Sequence, residues 1–384
     1  MVEVRTIGFG SRVGASIKGV LVGLLLFGVS FVVLFWNEGR AVKTAKGLAE
    51  GEKNVVSAAA DRVDPANAGK LVHLGGEATT DETIADDVFP AVSARALQLV
   101  RTAEIYQWKE RKEEKRSKNV GGSETVTTTY HYDKKWVDAP INSNNFHETG
   151  HPNTGSLPCP STEWYPAKVA LGSFALPREL IARIGGAEPL VPREAEASPA
   201  RAVGNRPPPK VAGGGYYFGA NPGAPEIGDA RVTFRIVKPQ VVSVLARQAG
   251  DTLSPHDTSY GTQIYVITRG AKTAQEMFAA EQAKNAMMTW ILRLVGFVVM
   301  FIGLAAIFAP LGVMADVLPF LGGIVRLGTG IAAFAMSLAL SLVTISIAWL
   351  FYRPLIGVPM IVGAVAIIVL AKMAGSKRAA PRAA

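Results

Sequence analysis

Residues 19–36 read GVLVGLLLFGVSFVVLFW, a run without a charged side chain. A helix needs roughly 17–25 such residues to cross the hydrocarbon layer, so the run predicts a transmembrane helix. Working outward, residues 291–309 (ILRLVGFVVMFIGLAAIFA), charged only at Arg293 near one end, 329–352 (TGIAAFAMSLALSLVTISIAWLFY) and 355–371 (LIGVPMIVGAVAIIVLA) are similar apolar runs. None alternates with period two, and a bilayer admits only helices or closed barrels. Four transmembrane helices are therefore expected, with 37–285 as one large block between the first and second.

The formal charge of +9 is unevenly spread. Between 37 and 285 there are 30 Lys and Arg against 29 Asp and Glu; the remaining segments hold 10 against 2, Glu3 and Asp316. Arg5, Arg12 and Lys18 precede the first run, Arg326 lies between the second and third, and Lys372, Lys377, Arg378 and Arg382 follow the fourth. The positive-inside rule sends 1–18, 310–328 and 372–384 to the cytoplasm and 37–285 across the bilayer. That location argues against a nucleic-acid partner. The basic stretch before 19–36 suggests a signal peptide, but the apolar run is too long and no small-x-small site follows, so an uncleaved anchor is expected. A single cysteine, Cys159, allows no intramolecular disulfide. Abundant Ala, Gly, Arg and Pro lean towards a bacterial source. The expected location is then the cytoplasmic membrane, with both termini cytoplasmic and 37–285 periplasmic; a eukaryotic source would substitute the endoplasmic reticulum and inner nuclear membrane.

The block reads mainly as strands after a helix reaching Glu50. Strands are expected at 70–75, 104–110, 125–137, 167–176, 230–237, 241–248 and 263–268, with a short helix at 178–184. Residues 104–110 and 125–137 flank a charged stretch carrying Gly121-Gly122 and predict a long hairpin. Tyr106 and Trp108 share a face of one strand, as do Tyr130, Tyr132 and Trp136 on the other, a pattern that fits cross-strand packing better than base stacking. The Gly- and Pro-rich stretch 185–226 predicts an extended loop. Thr273 and Glu276 form a capping box opening a helix at 274–290 that meets no break before 291–309. The fold class is α+β: four transmembrane helices with a large β-rich extracytoplasmic domain inserted between the first and second.

Residues 147–151 spell His-Glu-Thr-Gly-His, the H-E-x-x-H pattern of zinc hydrolases when placed on a helix. Here Asn142, Asn144, Asn145, Gly150 and Pro152 surround it, and Pro152 disfavours helix at His151. A third ligand is not evident. His147, Glu148 and His151 therefore define the alternative reading, a membrane-bound zinc hydrolase; no catalytic residue, metal or cofactor is assigned. Small residues on the apolar runs, Gly19 with Gly23 and Ala333 with Ser337 and Ser341, form faces where helices approach closely, within one chain or between copies.

Several stretches together resemble one family: N-E-G-R-A at 37–41, K-T-A-x-x-L-A-E-G at 43–51, L-V-H at 71–73 and I-Y-Q-W at 105–108. I-N-S-x-N-F at 141–146, G-H at 150–151, G-D-x-R-V-x-F at 228–234 and A-R-Q-x-G-D-x-L at 246–253 continue the series. M-x-T-W at 287–290 and W-L-F-Y-R-P-L at 349–355 complete it. The chain is similar in this order, over nearly its whole length, to the transmembrane protein forty-three family, also called LUMA. The resemblance implies four spans, cytosolic termini, a lumenal or periplasmic domain, and a membrane organiser that self-associates rather than an enzyme. For animal members it also implies lamin and emerin as partners, which a bacterial source would remove. The expected function is a multipass membrane scaffold acting through its extracytoplasmic domain. Its partners would be the lipid bilayer, further copies of itself, and an unidentified membrane or extracytoplasmic protein.

Overall fold

The computed structural model describes residues 2–193, 206 and 208–354. Its elements include β1 (Val2–Ile7), α1 (Phe9–Asn54), β2 (Leu71–Thr79), β3 (Gln98–Lys118), β4 (Glu124–Val137) and α2 (Arg178–Ile181). Then come β5 (Gly215–Phe218), β6 (Ala230–Val237), β7 (Gln240–Ala249), β8 (Val266–Arg269), α3 (Ala274–Ala315) and α4 (Pro319–Tyr352). The chain forms two compact units. Among the described residues, a sheet-rich unit comprises 2–4, Gly47–Lys115 and Thr127–Ala280; a helical unit comprises Arg5–Lys46, Arg116–Val126 and 281–354.

The sheet-rich unit is built on two sheets. One runs β1-β4-β3-β6-β5 and ends on the short strand Lys210–Ala212. β6 pairs antiparallel with β3 from Val237↔Gln98 to Ala230↔Ile105. Its alternating Val232, Phe234 and Ile236 point into a core with Leu99, Ala103, Phe89, Tyr216 and Phe218. The second sheet centres on β7, paired with β2 from Arg247↔Leu71 to Gln240↔Ala78, and with β8 on its other edge. Val242, Val244 and Ala246 enter one core beside Val72, Leu74 and Phe174. Leu245 faces the other way, onto Leu48, Ile264, Met277 and Phe278. A strand covered on both faces is apolar at successive positions, as Val241-Val242 and Val244-Leu245-Ala246 are here, on either side of Ser243. Gly51 permits that second layer, because a Cβ there would lie 2.2 Å from Cδ1 of Ile264.

Several boundaries differ from the sequence reading, each for a local reason. β3 continues through the charged residues 111–118, where cross-strand pairs such as His131–Glu113 at 3.4 Å hold it to the β-branched β4. The expected strand 167–176 is two short ones, Ala170–Leu171 and Phe174–Ala175, folded back at Gly172, whose φ is +60°. Residues 185–226 are not simply a loop: Gly213 and Gly214, both at positive φ, turn Lys210–Ala212 into β5 as a two-residue hairpin. The short helix ends at Ile181, and 263–268 splits into Gln263–Ile264 and β8. The capping box forms as expected, with Thr273 N–H donating to Glu276 and Glu276 N–H donating to the Thr273 hydroxyl at 3.2 Å.

In the helical unit α1 and α3 are unbroken, and three helices among the described residues are long and apolar enough to cross a membrane. The expectation of four is thus met by three; the fourth run, 355–371, lies outside the described residues, as does the basic tail 372–384. Residues 310–328 are not a cytoplasmic loop of the expected length, because α3 carries Pro310 within it and runs to Ala315, and α4 starts at Pro319. Nor is 1–18 a free tail: it supplies β1 and the start of α1. Between the helices, a Cβ on Gly23 would meet the Gly303 carbonyl oxygen at 2.8 Å, and one on Gly303 would meet Phe27 N at 2.8 Å. Leu34, Met300, Leu304 and Ala333 fill the centre.

Candidate functional site

Asn285, Thr289 and Arg293 recur at four-residue steps and so share one face of α3. That face meets Asn37, Glu38 and Arg40 of α1 and Trp349 of α4. Asn37 donates to the Thr289 carbonyl at 3.1 Å, and Arg40 donates to Asn285 Oδ1 at 3.0 Å and Thr289 Oγ1 at 3.1 Å. Asn285 Nδ2 donates back to the Ala41 carbonyl at 2.9 Å. Glu38 is fully buried. Its Oε1 accepts from Arg293 Nε at 2.6 Å, and its Oε2 accepts from Arg293 Nη2 at 2.9 Å and Trp349 Nε1 at 2.8 Å. A carboxylate so occupied is an anchor for α3 and α4, not a free base. The cations outnumber it. Among the described residues Arg40 bonds only neutral acceptors, and Arg353 lies 5.8 Å over the Trp349 ring. Arg293 also lies 4.7 Å over Trp290. A cleft of about 270 Å³ opens here, lined by Asn285, Thr289, Trp290, Arg293, Trp349 and Arg353 among others.

A second polar cluster lies elsewhere on the same helices. Asp316, between α3 and α4, is fully buried and accepts from Arg12 Nη2 at 2.6 Å; Arg326 and Lys118 complete its ion pairs, the latter at 3.4 Å. Burial pushes the Asp316 carboxyl up, but bonds from Arg12 and Arg326 and the charges of Arg326 and Lys118 hold it below its ordinary value. Arg12 also reaches Glu124 at 3.6 Å and the Gly122 carbonyl, and Gly121 N–H donates to Val317 O at 3.1 Å. Residues 116–126 therefore share the side of Arg12 and Arg326. The charge-count expectation sent these residues across the bilayer with the rest of 37–285. From Arg12 to Glu38 α1 rises about 39 Å, at 1.5 Å per residue. Between the clusters the exposed side chains include Leu21, Leu25, Val32, Leu294, Ile302 and Leu338. The two clusters thus frame an apolar belt matching a hydrocarbon core of about 30 Å with its interfaces.

The residues singled out in the sequence are placed as follows. Gly23 faces Gly303 within the chain, whereas nothing among the described residues lies within 4 Å of a Cβ built on Gly19. Ala333, Ser337 and Ser341 are buried inside the helical unit, Ser341 donating to Met300 Sδ at 3.5 Å. His147 and His151 are not on a helix. His147 stacks on Tyr130 with centroids 4.0 Å apart, and His151 on Tyr132 at 3.9 Å with Trp108 edge-on at 4.7 Å. Tyr132 also donates to Glu110 at 2.8 Å and accepts from Glu148 N–H at 3.0 Å. The segment is a strap laid over one face of β4. Among the described residues no three His, Cys, Asp or Glu side chains are grouped to hold a metal. The other aromatics pack across strands: Tyr106 meets Trp136 at 5.1 Å, and Arg231 covers Trp136 at 4.5 Å.

Sequence reasoning missed three groups. Asn153 pins the strap, accepting from Trp108 N–H at 2.7 Å and donating to Trp108 O at 3.0 Å. Glu38 and Asp316 were visible only as isolated carboxylates: Asp316 is the one acid beyond Glu281 in the chain. A lone acid among cations is the signal that marks it.

Comparison with known proteins follows the same motifs. The family model for Transmembrane protein 43 matches residues 105–354. Transmembrane protein 43 of Homo sapiens and of Rattus norvegicus are each 36% identical over 360 residues, covering 91% of this chain and 88% of the relative. The Transmembrane protein 43 homolog of Drosophila melanogaster is 28% identical over 351 residues, 88% of this chain and 89% of the relative. No solved structure matches. These relatives are animal proteins, and the compositional lean towards a bacterial source finds no support among them.

Proposed function

Because the chain belongs to the transmembrane protein 43 family, we propose that it is a membrane scaffold, working through self-association and through surfaces of its sheet-rich unit rather than by catalysis. The observation that carries this is the apolar belt framed by the Glu38 and Asp316 clusters, which commits α1, α3 and α4 to lipid and leaves their outer faces for other helices. Gly19 offers such a face, since small residues let helix backbones approach closely. The strap at 141–153 presents a second surface, held rigidly by Asn153 and the stacked histidines. No catalytic role is assigned to His147 or His151, whose ring faces are taken by Tyr130 and Tyr132.

Cross-linking of the full chain in native membranes tests the reading. Oligomers are expected, reduced by Gly19→Leu without a change in melting temperature. A chain that stays monomeric under conditions that cross-link a known membrane dimer would sink the self-association.

A further inference from the structure

Beside the polar cleft, α1 and α4 leave an apolar groove of about 580 Å³, lined by Phe31, Val32, Trp36, Leu340, Val343 and Tyr352 among others. Tyr352, in the groove, is followed directly by Arg353, in the cleft. The two concavities therefore adjoin at the C-terminal end of α4. Their chemistry is opposite. The groove is walled mostly by apolar side chains, with two hydroxyls, those of Thr344 and Tyr352. The cleft carries guanidinium groups in excess: Glu38 already neutralises Arg293, Arg353 has no ion pair among the described residues, and Arg40 Nε is buried without an acceptor. Trp36, Trp290 and Trp349 stand at the junction, where amphipathic rings settle between hydrocarbon and headgroups.

We propose that this combined site binds one glycerophospholipid with an anionic headgroup, its phosphate on Arg353 beside Arg293 and one acyl chain in the groove between α1 and α4. A guanidinium pairs a phosphate through two parallel hydrogen bonds, and Arg353 stands 5.8 Å over the Trp349 ring at the cleft. The uncompensated cations select for net negative charge; the groove selects for a chain. A soluble phosphate satisfies only the first requirement.

The test uses the full chain in detergent micelles, titrated separately with phosphatidylglycerol, phosphatidylcholine and inorganic phosphate, and read by native mass spectrometry and thermal shift. Phosphatidylglycerol is expected to bind about tenfold more tightly than phosphatidylcholine, the worth of one charge-assisted contact. Arg353→Gln should abolish that preference and Arg353→Lys should keep part of it. Phosphatidylglycerol with brominated acyl chains should quench tryptophan fluorescence in the wild type, less in Trp36→Phe. If Arg353→Gln misfolds, Val343→Trp, which fills the groove and leaves the cations, should exclude the lipid instead. Equal retention of both lipids by the wild type overturns the proposal. So does stabilisation by inorganic phosphate alone equal to that by phosphatidylglycerol, which would mark a free-anion site.

Discussion

Glu38 has no exposed surface, and its two oxygens accept three hydrogen bonds from side chains on two other helices. Burying a carboxylate is tolerable only because Arg293 is there; removing one partner strands the other. Glu38→Gln should therefore lower stability by about 3–5 kcal/mol. Glu38→Gln with Arg293→Gln together should cost less than the sum of the singles, a coupling that thermal unfolding in detergent would measure. Additive losses would show that the pair does not act as a unit. Cys159 makes a second point at this scale. Burial pushes its thiol up to about 11, with Arg101 pulling down and Asp86 and Asp87 adding to the rise. The folded thiol holds its proton more tightly than the unfolded one. The stability it confers is therefore complete below the unfolded thiol's pKa and is lost as pH climbs from there through about 11. Maleimide should accordingly modify Cys159 slowly in the native protein at neutral pH and rapidly after denaturation. Fast native labelling would contradict its burial.

At the scale of elements, the close approach of α1 and α3 rests on Gly23 and Gly303. Gly303→Leu would drive a side chain into the α1 backbone at Phe27, an overpacking that costs about 1–3 kcal/mol. A fall in melting temperature is expected for Gly303→Leu and none for Gly19→Leu; equal behaviour of the two would refute the assignment of Gly23, rather than Gly19, to the contact within the chain. The sequence displayed these elements unequally. β6 alternates cleanly and its ends are read correctly, because one face meets the Phe89 core and the other stays polar. The apolar runs of α1, α3 and α4 were equally plain. β3 was read too short because its outer half is Lys, Glu and Arg, residues whose strand state is decided by the partner strand and not by their own preference. Gly213-Gly214 was read as a loop since only the pairing of Lys210–Ala212 with β5 turns it into a hairpin. The strap was legible as non-helical from Pro152 and Gly150. Its stacking on Tyr130 and Tyr132 was not, because that depends on contacts across the sheet.

For the whole molecule, the charge distribution and the ion pairs make separate demands. The cationic surplus sends 37–285 to the side opposite Arg12. The contacts of Gly122, Glu124 and Lys118 with Arg12 and Asp316 keep the tip of the β3–β4 hairpin on Arg12's own side. Together they would require residues 109–118 to pass between the sides, and nine of those ten residues are charged. A strand of that composition cannot lie against acyl chains. Protein or water must therefore shield it, as a self-associated scaffold would allow. Two exposed positions test this crossing: Val120 at the tip and Asp81 in the sheet-rich unit, each changed to Cys while buried Cys159 stays silent. Membrane-impermeant maleimide on sealed vesicles should label Val120→Cys only from the side that exposes the N-terminus. Labelling of Asp81→Cys from the opposite side is expected for a shielded hairpin crossing, and labelling from the same side would contradict it. Protection of Val120→Cys from the N-terminal side would show that the tip leaves Asp316 in the membrane, and the Arg12 cluster would then have to be rebuilt without Glu124 and Lys118.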